Sequence, residues 1–367
     1  MRNRDQGLGI RDQGSCSKAV RVINTLRVRT NIPDPPSPVP SPLLILICSL
    51  FIVFTSCPDG NKITNNGGTD SIDDPNNPVI DGIKIGSPVE GKGKLVWRDE
   101  FDGDSLDLSK WNYDYGNGSQ YGQAGWGNNE KVWYMARNVS VKDGALVIEA
   151  LYEPSVGGTA HPYTAGKIST KGTKNHNSTV TYPRRQFLGV STGCVEARIK
   201  APRGAGFWPA FWMLGANVDS LSGYEPVGWP RAGEIDIFEM RGDRMRNGQT
   251  LHYQADSGHR YRGYGYEVPD MADTFHVYGV VWDSTQARFY CDGELKNTVN
   301  YSQLDAGAVT TAFHDEVPWV IIINLAVSGN YTGGLVPDDS VFSTGPAEDR
   351  RLTVDWVRVY EEIANNN

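Results

Sequence analysis

From Leu95 onward, hydrophobic and polar positions follow one another in short runs rather than in helical stripes. KLVW, ALVIEA, CVEARIKA, EIDIFE, FHVYGVVWD, ARFYCDGEL, WVIIINLAV and LTVDWVRVY either alternate β-branched and aromatic residues with polar ones or form continuous apolar stretches. Gly, Asn, Pro and Asp separate them, and no apolar stripe of period 3.6 reaches comparable length. Many short strands over about 265 residues predict an all-β, two-sheet sandwich, curled so that its edges are protected. One domain of this kind, over residues 91–363, is the simplest division of the chain. No internal repeat interrupts it.

The pattern breaks before residue 91. Residues 57–90 are rich in Asp, Asn, Gly, Pro and Ser and poor in large apolar side chains. They cannot bury enough surface to order themselves and read as a flexible tether. Residues 1–56 read as a leader. Arg21, Arg27 and Arg29 precede an apolar run at residues 43–54, too short to cross a bilayer, which ends in Phe54-Thr55-Ser56-Cys57. A basic region, a short apolar region and small residues before a cut describe a secretory signal. Cys57 resembles the lipidated cysteine of a bacterial lipobox. The expectation is an exported protein, lipid-anchored at the cell envelope through Cys57 or else periplasmic or secreted, with no other membrane contact.

Composition narrows the class. With 39% hydrophobic and 10% aromatic residues the chain is not disordered, and 41 Gly and 21 Pro exclude a long coiled coil. Seven basic and two acidic residues fall within residues 1–29, leaving 28 basic and 41 acidic for the rest, a net charge of −13. Such a body repels nucleic acid and sulfated polymers and is indifferent to neutral substrates. Of five cysteines, Cys194 and Cys291 fall in the body. Export allows a disulfide between them, and two small buried hydrophobes are the other reading. No cysteine or histidine spacing suggests zinc.

The segment Gly233-Glu234-Ile235-Asp236-Ile237-Phe238-Glu239 carries the most chemistry. Residues i and i+2 of a strand share a face, so Glu234 and Asp236 point together. Glu239, five positions from Glu234, joins them only if a β-bulge near Ile237-Phe238 inserts one residue. Three acids on one face repel unless a proton is held among them. Retaining cleavage of a glycosidic bond needs such an arrangement. One carboxylate attacks the anomeric carbon, and a second, of raised pKa, protonates the leaving oxygen and then activates water.

This segment resembles the bulged E-x-D-x-x-E signature of glycoside hydrolase family 16. WRDEFDG (97–103), GWGNNE (125–130), GFWPAFWML (206–214), GWPRAGEIDIFE (228–239), LHY (251–253), NLAVSGNY (324–331) and DWVRVY (355–360) resemble its endo-1,3-β-glucanase, or laminarinase, branch. The resemblance implies a concanavalin A-like β-jelly-roll with a concave substrate cleft. It implies Glu234 as nucleophile, Asp236 as assisting residue and Glu239 as acid/base. It also implies Trp208 and Trp229 as sugar platforms, with Asn129 and His252 as substrate contacts and Glu130 tying down the loop. Lys167 stands where the family often carries Arg, keeping the charge without the planar fork. Trp212 is expected in the core and His259 in a surface loop. A structural calcium is expected at Glu100, Gly144 and Asp355, with no cofactor for catalysis. The implied function is endo-hydrolysis of β-1,3 linkages in a neutral glucan, 1,3/1,4-mixed polymers included, by a monomer. A hydrolase of marine galactans (agar, porphyran or carrageenan) and a non-catalytic glucan-binding surface protein are the rivals. The three clustered carboxylates weigh against the second, because binding a neutral sugar requires no such repulsion.

Overall fold

The computed structural model describes residues 93–362, apart from 176, 178–180, 183–189, 242 and 314–316, together with the short strands Val79–Ile80 and Ile83–Lys84. The leader, Cys57 and most of the tether lie outside the described residues. Val79–Ile80 and Ile83–Lys84, within the tether, pair as a small antiparallel ladder.

Among the described residues, fifteen strands build two large antiparallel sheets. In chain order they are β1 (Gly93–Asp99), β2 (Asn112–Tyr113), β3 (Val139–Lys142), β4 (Ala145–Glu149), β5 (Lys167–Ser169), β6 (Gly193–Lys200), β7 (Phe207–Gly215) and β8 (Glu234–Arg241). They continue with β9 (Arg246–Ala255), β10 (Gly258–Glu267), β11 (His276–Trp282), β12 (Gln286–Cys291), β13 (Glu294–Asn300), β14 (Trp319–Val327) and β15 (Arg351–Glu362). One sheet has the order β10-β9-β8-β7-β14-β5-β2. The other has β13-β12-β11-β6-β15-β4-β3, with β1 also paired to β15. The expected two-sheet jelly-roll sandwich is what forms.

Alternation explains the packing. From β8, Ile235, Ile237, Phe238 and Met240 are fully buried, and they meet residues such as Val280 of β11 and Val357 of β15 in one core. Phe238 and Tyr278 lie 4.6 Å apart between ring centroids, joining the two sheets. Removing a buried aromatic ring such as Phe238 would cost about 3–5 kcal/mol. All nine residues of β14 are buried. Its second face is covered by a smaller apolar cluster of Leu214, Ala216, Val320 and Ile322, against which Trp212 packs. Trp212 therefore belongs to the site-sheet surface and not, as expected, to the sandwich core. Its indole N–H is drawn there by Asn324 Oδ1, 2.8 Å away.

Ion pairs organise the other sheet. Arg358, 2% exposed, donates to both oxygens of Glu100 at 2.8 and 2.7 Å. Asp355 accepts from Arg198, and Gly144 lies in the β3–β4 turn. Two of the three donors expected for calcium are thus committed to guanidinium groups, which repel a cation. The residues as placed do not fit that ion. Cys194 and Cys291 are both free and buried, so the second of the two thiol readings applies. No helix among the described residues is long and apolar enough to cross a membrane.

Candidate active site

The bulge stands where the acids require it. Glu234 pairs with Leu214 and Asp236 with Trp212, but Phe238 then faces Phe211 and Glu239 faces Ala210. Ile237 is the extra residue. On the β9 side, Asp236 pairs with Thr250 and Glu239 with Gly248, three steps against two. The parity shift turns Glu239 to the face that Glu234 and Asp236 already share, while Ile237 and Phe238 both enter the core.

A bulge leaves ladder groups unpaired, and here Asn247 takes them up. Its buried side chain accepts the Glu239 N–H at 3.0 Å and donates to the Ile237 carbonyl at 3.4 Å and to Tyr266 Oη at 3.0 Å. Tyr331 donates its hydroxyl to the Glu239 carbonyl at 3.2 Å and stacks on Trp208 with centroids 5.1 Å apart. This approach needs Gly248, where a Cβ would stand 2.4 Å from Tyr331 Oη. It also needs Gly329, at φ +121°, where a Cβ would stand 3.1 Å from the Trp208 ring. Asn247 and Tyr331 were not singled out from the sequence. Tyr331 closes the NLAVSGNY motif. Asn247 has only the bare signal of an amide at a core-facing strand position.

Each terminal acid receives an indole N–H. Trp208 Nε1 donates to Glu239 Oε1 at 2.9 Å, and Trp229 Nε1 donates to Glu234 Oε2 at 3.0 Å. His252, paired with Glu234 across the ladder, sets its Nε2 3.2 Å from Asp236 Oδ2 and 3.7 Å from Glu234 Oε1. Its ring faces these two acids. Asp236 shares a hydrogen bond with Glu234. Burial first, then repulsion from Asp236, pushes Glu234 and Glu239 up to about 8, and burial alone takes Asp236 to about 8. At neutral pH the trio holds protons. Coupled this closely, the three acids titrate as a group, with Trp229 and His252 favouring charge on Glu234 and Trp208 favouring it on Glu239.

Trp229 is 45% exposed, open enough for a flat sugar face. Asn129 is exposed, sits at φ 57°, and donates its amide to Asn330 Oδ1 at 2.8 Å. Glu130 is buried and accepts the Tyr134 hydroxyl at 2.8 Å, tying the loop down as expected. Lys167 is buried, its ammonium 3.9 Å from the centroid of Trp126 and 5.1 Å from that of Trp212. Burial holds its pKa below the usual lysine range. In this position it braces aromatic rings. His259 lies in strand β10 and touches Trp229 and His252, not in a free loop. The Gly/Tyr/Arg-rich composition of β10 hides its pairing with β9. Among the described residues, two side-chain groups bring three metal-ligating types together: Glu234 with Asp236 and His252, and His276 with Cys291 and Asp292 on the other sheet.

Acids that keep protons at neutral pH, aligned on one strand beneath an exposed indole, suit protonation of a glycosidic oxygen, and on this sandwich they define a glycosidase. Comparison with known proteins agrees. The model "Beta-porphyranase A-D, GH16 domain" matches residues 96–362. The chain belongs to glycoside hydrolase family 16. It is 36% identical over 299 residues to glucan endo-1,3-beta-glucosidase A1 of Niallia circulans, covering 76% of this chain but only 40% of that protein. It is 35% identical over 280 residues to the beta-glucanase of Rhodothermus marinus, covering 74% of this chain and 86% of that one. The X-ray structure of the endo-beta-1,3-glucanase from Pyrococcus furiosus superposes with a TM-score of 0.60 at 36% identity, over 75% of this chain and 97% of that one.

Proposed function

We propose that this glycosidase cleaves β-1,3 linkages inside neutral glucans, with retention at the anomeric carbon. The carrying observation is the bulged trio, three coupled carboxyls on one face with a different partner at each end. Glu234, held by Trp229 and backed by Asp236, attacks the anomeric carbon as the glycosidic bond breaks. Glu239 gives its proton to the departing oxygen. It then takes a proton from water, whose oxygen displaces Glu234 and leaves the β-anomer. The relatives named for β-1,3-glucan cleavage and the acidic body both support a neutral glucan. An exported enzyme tethered through Cys57 suits a polymer too large to enter a cell.

The test is reducing-sugar release from laminarin beside a Glu234→Gln variant, with the first product's anomer read by proton NMR. Wild-type release, loss in the variant and an initial β-anomer are expected. A wild type as inert as the variant would sink the enzyme, and an α-anomer would sink double displacement. A second reading, a galactan hydrolase, is favoured by the porphyranase model and by 26% identity over 274 residues to the keratan-sulfate endo-1,4-beta-galactosidase of Sphingobacterium multivorum. Agarose, porphyran and carrageenan beside laminarin and lichenan separate the two.

A further inference from the structure

One oxygen of Glu234 is held, and the other faced, by groups that rest on one further side chain. Trp229, which reaches Oε2, comes from a loop and has no strand of its own to fix it. Its ring lies against His259, with centroids 4.5 Å apart. His252, which faces Oε1, has its other nitrogen, Nδ1, 2.8 Å from His259 Nε2, and the two imidazoles stack at 16°. The turn between β9 and β10 makes this meeting possible. It pairs Gln254 with His259 and His252 with Tyr261, so His252, His259 and Tyr261 stand on the site face.

The proton positions follow from the surroundings. His252 Nε2 faces oxygens of Asp236 and Glu234. With Glu234 ionised as the nucleophile it is proposed to be, a lone pair there would oppose a carboxylate, so that nitrogen carries the hydrogen. A neutral His252 then has its lone pair on Nδ1, and the group within reach is His259 Nε2–H, which donates to it. We propose that His259 is a positioning residue: it fixes His252 as the Nε2–H tautomer aimed at the Asp236/Glu234 pair and supports the indole that holds the other Glu234 oxygen. The inference rests on Glu234 as nucleophile and adds a residue outside the resemblance that pointed to it. His259 touches none of the acids and acts through its neighbours.

Three variants divide its two roles. His259→Phe keeps a ring under Trp229 and removes the donor. His259→Gln restores a donor. His259→Ala removes both. Loss of a tautomer-fixing partner should lower kcat about tenfold in the Phe variant with KM within about twofold, and Gln should recover most of that loss. The Ala variant should also raise KM severalfold, because Trp229 loses its support. The readout independent of turnover is ¹⁵N NMR of the His252 imidazole. In wild type, Nδ1 should give the signal of an unprotonated nitrogen, which Phe should abolish and Gln restore. Wild-type kcat and an unchanged His252 signal in the Phe variant would overturn the proposal. Equal kcat losses in Phe and Gln with unchanged His252 signals would overturn it too, as a merely structural effect. If the wild type cleaves no glucan, the nucleophile assignment fails separately, and the NMR series still decides whether His259 sets the tautomer.

Discussion

The two sheets bury acids and neutralise them by different means. On the sheet without the site, partly buried carboxylates meet guanidinium groups: Glu100 with Arg358, Glu149 with Arg350 and Arg351, Asp355 with Arg198. On β8 the acids meet one another, two indoles and one imidazole. A guanidinium would make a better partner for each of them and would also hold each permanently ionised, ending any proton transfer. Glu196 marks the boundary between the two strategies. It pairs with Arg358 across the ladder, yet burial pushes it up to about 8 like the site acids. A raised carboxyl alone is therefore not a catalytic sign. What distinguishes β8 is several raised carboxyls coupled to one another on an accessible face.

The sharpest break of this contrast is substitution on each sheet in turn. Glu239→Gln should lower kcat about 10³-fold or more, because the proton donor is gone. Its melting temperature should hold, since Gln replaces a carboxyl whose protonated, neutral form the fold already prefers. Glu100→Gln should do the reverse. It leaves the Arg358 guanidinium, 2% exposed, short of its carboxylate, and about 3 kcal/mol of stability should go while activity per folded molecule stays. Paired urea titrations and laminarin assays of both variants decide. A stability loss from Glu239→Gln as large as that from Glu100→Gln would erase the distinction.

The bulge links the sheet's architecture to its chemistry. Asn247→Ala leaves the Glu239 N–H and the Ile237 carbonyl without their buried partner, costing about 2 kcal/mol. Because the same change loosens the backbone that aims Glu239, kcat should fall about tenfold, by more than an equal destabilisation made in the Glu100–Arg358 pair. Comparing kcat for the two variants at matched stability tests this. Equal kcat values would mean that Asn247 only fills the core.

Much of this was legible in the residue pattern, and what was not has identifiable causes. E-I-D-I-F-E announces its bulge because two adjacent apolar residues, Ile237 and Phe238, break an otherwise strict alternation. β9 hides its register. Its core-facing positions are Asn247, Gln249, Leu251, Tyr253 and Ala255, so polarity inverts in the first half of the strand. The bulge and the Tyr266 hydroxyl of β10 give those amides their partners. β10 exposes most of its length at the sheet edge, so no apolar period marks it and His259 looks like a loop residue. Trp212 was misplaced because a strand covered on both faces offers two apolar surfaces, and sequence cannot say which one is the sandwich core. Lys167 resembled a sugar contact by position alone. Its ring-lined pocket is assembled from Trp126, Tyr134 and Trp212, distant in sequence.

The smallest effect concerns pH and separates the two sheets most finely. Folded-state pKa values of about 8 for the trio and for Glu196 lie above those of an unfolded chain, near 4. The protonated forms are the ones the fold prefers. Stability from these groups is fully present below the unfolded values and is lost as pH rises towards about 8. Activity should follow only the site acids, falling on the alkaline side as Glu239 gives up the proton it must donate. Trp208 Nε1–H stabilises the ionised form of Glu239 and so lowers its pKa. Trp208→Phe removes that donor, so the alkaline limb of kcat/KM should move to higher pH, whatever the loss in absolute rate. Glu196→Gln should flatten the pH dependence of stability and leave that limb where it was. Initial rates from pH 5 to about 10 on the three proteins provide the check. A limb that moves with Glu196 and not with Trp208 would place the controlling carboxyl on the other sheet and reverse the roles assigned to the two surfaces.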